Sequence, residues 1–149
     1  MKRISKLIIS VISLLLCSMG FAQTSEFSTS DGIKWGMSQS EIKKIKIDAP
    51  LSTQEDQIVF YDMREGRSET YFLSGGALYK IFTSKDVYSK KDGDKYFEKM
   101  KLELTERFGA QMNNVSENLI EWNVSGTKIT LLRSLSKKGG FVSVEYLKS

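Results

Sequence analysis

Apolar residues recur along this chain with two different periods, and the changes between them mark its elements. Steps of three and four place Ile42 and Ile45 beside Glu41 on one stripe, with Lys43, Lys44 and Lys46 outside it, which predicts a short helix over 38–46. The same steps in Phe97, Met100, Leu104 and Phe108 predict a second helix over 95–108. Between and after the helices the pattern becomes aromatic, β-branched and alternating. Ile58, Val59, Phe60, Tyr61 and Met63 predict a strand over 57–64, and two more follow over 70–73 and 78–82. Beyond the second helix, strands are expected over 119–124, 127–135 and 142–146.

Punctuation supports these boundaries. Gly32 to Ile42 reads as a short apolar strand passing through Gly36 into a helix start, with Trp35 large enough to anchor the junction in a core. Ser38 and Glu41 have the spacing of a capping box, and Met37 with Ile42 that of a hydrophobic staple. Pro50 stops the first helix, and 51–56 reads as a connection. Residues 85–94 read as a polar link in which Asp92 or Asp94 caps the second helix, while Gly109 suits the position just past its end. Residues 113–117 read as a loop.

The economical assembly is an α+β fold: an antiparallel sheet of about six strands in two meanders, with two helices packed on one face. Each half runs helix, then three strands. That order fits a duplicated α-β-β-β unit and also two similar patterns arising by chance. Tyr71 and Tyr79, on neighbouring strands, can stack across their hairpin if the register brings them opposite.

The first 22 residues change the reading of charge. Lys2, Arg3 and Lys6, an apolar run of about ten residues, and Gly20-Phe21-Ala22 read as a secretory signal peptide at 1–22, whose apolar run is too short for the roughly 20-residue span of a membrane helix. Residues 23–30 are expected to be a flexible N-terminus, and 31–149 a single domain with no transmembrane span. Leu16 stands before Cys17 where a lipoprotein signal has a small residue, so lipidation there is disfavoured. The chain has 22 basic and 18 acidic residues. Without the three leader cations 19 basic residues remain, a net of +1, and no nucleic-acid partner follows from so small a charge.

Side-chain chemistry narrows the function. Cys17 is the one cysteine and there is no histidine, so the exported part lacks disulfides, thiol nucleophiles and the commonest general base and metal ligand. The order Asp92-Gly93-Asp94 lacks the alternating ligands and distal glutamate of a calcium loop. Asp62, Glu65, Glu69, Asp86, Glu121 and Glu145 are the carboxylates a hydrolase could use, and no spacing singles out a pair. No cofactor or metal is expected.

Gly32-Ile33-Lys34-Trp35-Gly36, then Ser38-Gln39-Ser40-Glu41-Ile42, Phe108-Gly109 and the Trp122 strand followed by Ile129 and Leu131, resemble a diffuse group of small exported bacterial proteins of unassigned function. The arrangement is similar to the helix-and-meander folds of β-lactamase inhibitory protein and the small outer-membrane assembly lipoprotein E. The resemblance implies a fold and a cell-envelope location. It transfers no catalytic residue, because those relatives act by binding.

The leading expectation is therefore a non-catalytic, periplasmic or secreted interaction module for an envelope or extracellular protein partner, with Tyr61, Tyr71, Tyr79 and Tyr88 as candidate contact residues. The alternative is a carrier holding a small apolar ligand or lipid between helices and sheet. Intact mass of protein recovered from the cell envelope should correspond to a chain beginning at Gln23. A mass that retains Met1 to Ala22 would contradict the leader assignment.

Overall fold

The computed structural model describes residues 27–109 and 112–149. The expected signal peptide at 1–22, Cys17 within it and the first part of the expected flexible N-terminus lie outside the described residues. In chain order the elements are α1 (Gln39–Ile45), β1 (Ser52–Thr53), β2 (Gln57–Asp62), β3 (Arg67–Ser74), β4 (Ala77–Val87), α2 (Lys90–Phe108), β5 (Met112–Ser116), β6 (Leu119–Val124), β7 (Thr127–Ser136) and β8 (Gly139–Lys148). All pairings are antiparallel, in the order β1-β2-β3-β4-β8-β7-β6-β5. The two meanders are joined by their last strands, β4 and β8, from Lys80 opposite Leu147 to Val87 opposite Gly140. Each half is thus a helix followed by four strands.

The α+β class, the antiparallel sheet and the two helices agree with the sequence, but the sheet has eight strands rather than about six. The two additional strands are the outermost. β1 replaces part of the connection at 51–56, and β5 replaces the loop at 113–117. Both pair on one side only, and β1 and residues 113–116 of β5 are exposed. With no buried face, neither carries an alternating imprint.

Two junctions also differ. β4 continues to Val87 and α2 begins at Lys90, so the polar link at 85–94 shrinks to Tyr88 and Ser89. Ser89 caps α2, its Oγ accepting from the Asp92 N–H at 3.1 Å, and neither Asp92 nor Asp94 is the cap. Gly93, a poor helix former, hid this first turn. It is buried because α2 crosses β7 closely there: a Cβ on Gly93 would lie 2.4 Å from a Leu135 methyl. Around Trp35 there is no strand, only a bridge between Ser28 and Lys34. At α1 the capping box is present as expected, Ser38 N–H donating to Glu41 at 2.8 Å.

Register explains how one core spans the sheet. Ile58, Tyr71, Ile81, Tyr146, Ile129 and Trp122 stand opposite one another in succession across β2, β3, β4, β8, β7 and β6. α2 lays Phe97 and Leu104 on the β6–β8 side of this face, while Phe27, Ile33 and Ile42 of α1 cover the β2–β4 side. Phe108 and Tyr146 pack against both groups. At the seam Phe27 stacks on Trp35 with ring centres 4.6 Å apart, and Trp35 Nε1 donates to the buried Thr127 Oγ1 at 2.8 Å.

The expected Tyr71–Tyr79 stack does not form. Tyr71 is opposite Ile81, the register shifts between Phe72 and Leu73, and Tyr71 is buried while Tyr79 is exposed. In this core Trp122 is fully buried. Trp122→Ala should cost about 3–5 kcal/mol, as removal of a large core aromatic does. Urea denaturation checks it, and a loss below about 1 kcal/mol, the scale of an ordinary surface change, would contradict the packing described.

Candidate functional site

Exposed apolar side chains and open hollows meet around the turn between β2 and β3. Asp62 builds that turn: its Oδ1 accepts the N–H groups of Arg64 at 2.9 Å and Glu65 at 3.1 Å. Those backbone hydrogen bonds, the one from Glu65 foremost, hold its carboxyl below the ordinary 3.8. Gly66 completes the reversal at a φ of 61°, a left-handed angle that costs other residues more. The turn lifts Met63 into solvent at 88% exposure, beside Tyr61 at 45%.

Two other junctions end beside it. Ile47, just past α1, is fully exposed, and Tyr88, just past β4, is 90% exposed. These four side chains line three open hollows of about 240, 360 and 580 Å³. Tyr61 borders all three, and the largest shares Ile47, Asp48 and Asp62 with the smallest and Met63 and Arg64 with the third, so the three adjoin and are described together as one depression.

The floor of the smallest hollow is a network of charges. Lys46 Nζ lies 2.7 Å from Asp31 and 2.5 Å from Glu69, and Arg67 binds the other Glu69 oxygen at 2.9 Å. Tyr71 donates its hydroxyl to Glu69 at 2.8 Å, and its ring lies 5.3 Å from Lys46 Nζ. Burial alone would raise the Asp31 carboxyl, but hydrogen bonds from Lys46 and Thr29 outweigh it and the net direction is down. Burial would lower Lys46, and its two carboxylate partners outweigh that and hold it up. Burial and then the neighbouring Glu69 charge push Tyr71 up, so it stays a hydrogen-bond donor.

Of the four tyrosines singled out from sequence, the structure brings Tyr61 and Tyr88 together at this depression. Tyr79 lies near the opposite end of β4, and Tyr71 is buried beneath Lys46, where it supports the floor and cannot be a surface contact. Sequence reasoning did not single out Ile47, which falls just past the helix predicted over 38–46, or Met63, which falls within the strand predicted over 57–64. The available signal was their place, directly after a helix and beside a glycine turn. The candidate carboxylates separate as well: Asp62, Glu65, Glu69 and Asp86 surround the depression. Glu121 and Glu145 are paired with Lys128 at 2.6 Å and Lys80 at 2.7 Å on the other face of the sheet.

Among the described residues no group of three acidic, histidine or cysteine side chains is arranged to hold a metal ion. None of the described helices is long and apolar enough to cross a membrane. The space between α2 and the sheet is filled, with Phe97, Leu104, Trp122, Ile129 and Leu131 each at most 2% exposed. No family model matches the chain, and no curated protein or solved structure is detectably similar to it.

The Lys46 network gives a pH signature. Because Asp31 titrates below its ordinary 3.8, its contribution to stability is complete above that value and vanishes as pH falls through the lower folded value. Because Lys46 titrates above 10.5, its contribution is complete below that value and vanishes as pH rises through the higher folded value. The difference in unfolding free energy between the natural protein and Asp31→Asn should therefore be constant around neutrality and close in acid, below 3.8. Denaturant titrations over a pH series measure it, and a gap that widens in acid would refute the network.

Proposed function

We propose that the protein is an exported, non-catalytic interaction module that presents the depression around Tyr61 to a protein partner in the envelope or outside the cell. The observation that carries this reading is the crowding of Ile47, Tyr61, Met63 and Tyr88, four of the eight exposed large hydrophobic side chains among the described residues, around one turn. Scattered apolar residues are ordinary on a surface, but a contiguous group bordered by charges has the anatomy of a contact site. Aromatic and methionine side chains are also the types that interface centres favour. The carrier alternative lacks a container, since the layer between α2 and the sheet is packed with side chains.

Nothing in the arrangement of charges favours catalysis over binding. Glu69 is committed to Lys46, Arg67 and Tyr71, and Asp62 to its own turn. Such groups are fixed by ion pairs and hydrogen bonds, whereas a general acid or base must exchange its proton during the reaction.

Tyr61→Ala, Met63→Ser and Tyr88→Ala should each leave stability within about 0.5 kcal/mol, as exposed substitutions do. Combined, they should abolish partner capture after crosslinking in intact cells. Undiminished capture by the triple variant would count against this surface.

A further inference from the structure

Which partner chemistry suits the depression is readable from its charge. Of the chain's 22 basic and 18 acidic residues, Lys2, Arg3, Lys6 and Glu26 lie outside the described residues, leaving 19 and 17. The three hollows are lined by four of those cations and seven of those carboxylates, so 15 and 10 remain elsewhere. The depression is acidic on an otherwise basic molecule.

The excess is also unpaired within the floor. Asp31 and Glu69 are taken up by Lys46 and Arg67. Lys85 is turned toward the Tyr96 ring, 4.8 Å from its centre. Exposed Asp48, together with Asp62, lines the two hollows that Ile47 borders, and exposed Asp86 lines the one that Tyr88 borders, with Tyr61 common to all three. Aromatic faces flanked by carboxylates attract a guanidinium or ammonium through both cation–π and Coulomb terms.

We propose that the partner docks through a basic, apolar-flanked segment, an arginine or lysine side chain entering beside Tyr61 while neighbouring apolar side chains rest on Met63 and Tyr88. This rests on the interaction-module reading and specifies its partner. A second copy meeting this one about a two-fold axis would face acidic rim with acidic rim, because an isologous contact opposes the same patch to itself. Nucleic acid and anionic lipid headgroups carry the wrong sign for the same reason.

The test uses the exported chain immobilised through its C-terminus and a randomised synthetic peptide pool, with retained peptides sequenced at low and high salt. Asp48→Asn with Asp86→Asn, both exposed changes, supplies the charge variant, and Tyr61→Ala the surface variant; circular dichroism establishes that each is folded. The natural protein should enrich arginine and lysine next to aromatic or aliphatic residues, and the enrichment should fall at least tenfold in the charge variant and decline with salt. A pool retained through Tyr61 but free of basic enrichment overturns the charge inference and leaves the surface standing. Retention independent of Tyr61, or no retention at all, overturns both. Tyr61-dependent self-association in sedimentation overturns the proposal in favour of a second copy. Should the double charge variant fail to fold, Asp48→Asn alone carries the comparison.

Discussion

The fold depends on the antiparallel pairing of β4 with β8. Each helix-and-meander half ends in its longest or equal longest strand, and these two strands form the middle of the sheet. Backbone hydrogen bonds along that seam make one apolar face from two, so the row from Ile58 to Trp122 is continuous. Each half buries a group of its own, from Phe27 to Ile81 in one and from Phe97 to Val144 in the other, and the seam, with Phe108 and Tyr146 packed against both, joins them into a larger core of the kind that burial favours as size grows. Gly139 shows how tight the end of the seam is, because a Cβ there would lie 2.2 Å from the Val87 carbonyl oxygen. Gly140 is as tightly placed against β7, where a Cβ would lie 1.9 Å from the Ser134 carbonyl oxygen.

The segment 27–37 closes this seam and prepares the depression. Phe27 and Trp35 fill the place where Phe108 and Tyr146 meet, and Gly36 and Met37 exchange backbone hydrogen bonds with Leu78. Asp31, from the turn between Ser28 and Lys34, then reaches Lys46 at the end of α1. Through Lys46 and Glu69 the helix end is tied to β3, and Ile47 follows directly as an exposed side chain. Packing at the seam and presentation at the rim are therefore linked by one chain of contacts, with Tyr71 buried beneath it.

How much of this was legible follows from burial. Elements with a buried face wrote a period into the sequence: α1, α2 from Lys95 onward, and β2, β3, β4, β6, β7 and β8 are all visible in the spacing of Ile, Phe, Leu and Val. β1 and β5 are held by backbone pairing at the edges and leave almost no side-chain trace. The first turn of α2 was hidden by Gly93, whose presence answers the closeness of Leu135 and not helix propensity. At the candidate site, Tyr61 and Tyr88 were legible as aromatic residues in excess of the core. Tyr71 was equally aromatic but lies on the inward parity of β3, which only the register decides. Ile47 and Met63 are exposed because of where elements end, a property of geometry to which composition is blind.

The uncovered face of the sheet is the broader surface, and its chemistry differs from that of the depression. Across it run Thr70, Phe82, Glu145, Thr130 and Glu121, with Lys80 on Glu145 and Lys128 on Glu121 as cross-strand ion pairs. Lys80 also covers the Phe72 ring, with Nζ 5.1 Å from its centre. Charges so placed solvate a flat sheet and discourage pairing with other apolar surfaces. At the depression the opposite holds: Ile47, Met63 and Tyr88 stand clear of the sheet with nothing laid over them. The broad face sets charges among its apolar side chains, whereas the rim gathers Ile47, Tyr61, Met63 and Tyr88, half of the exposed large hydrophobic side chains among the described residues, and so offers the more contiguous apolar contact.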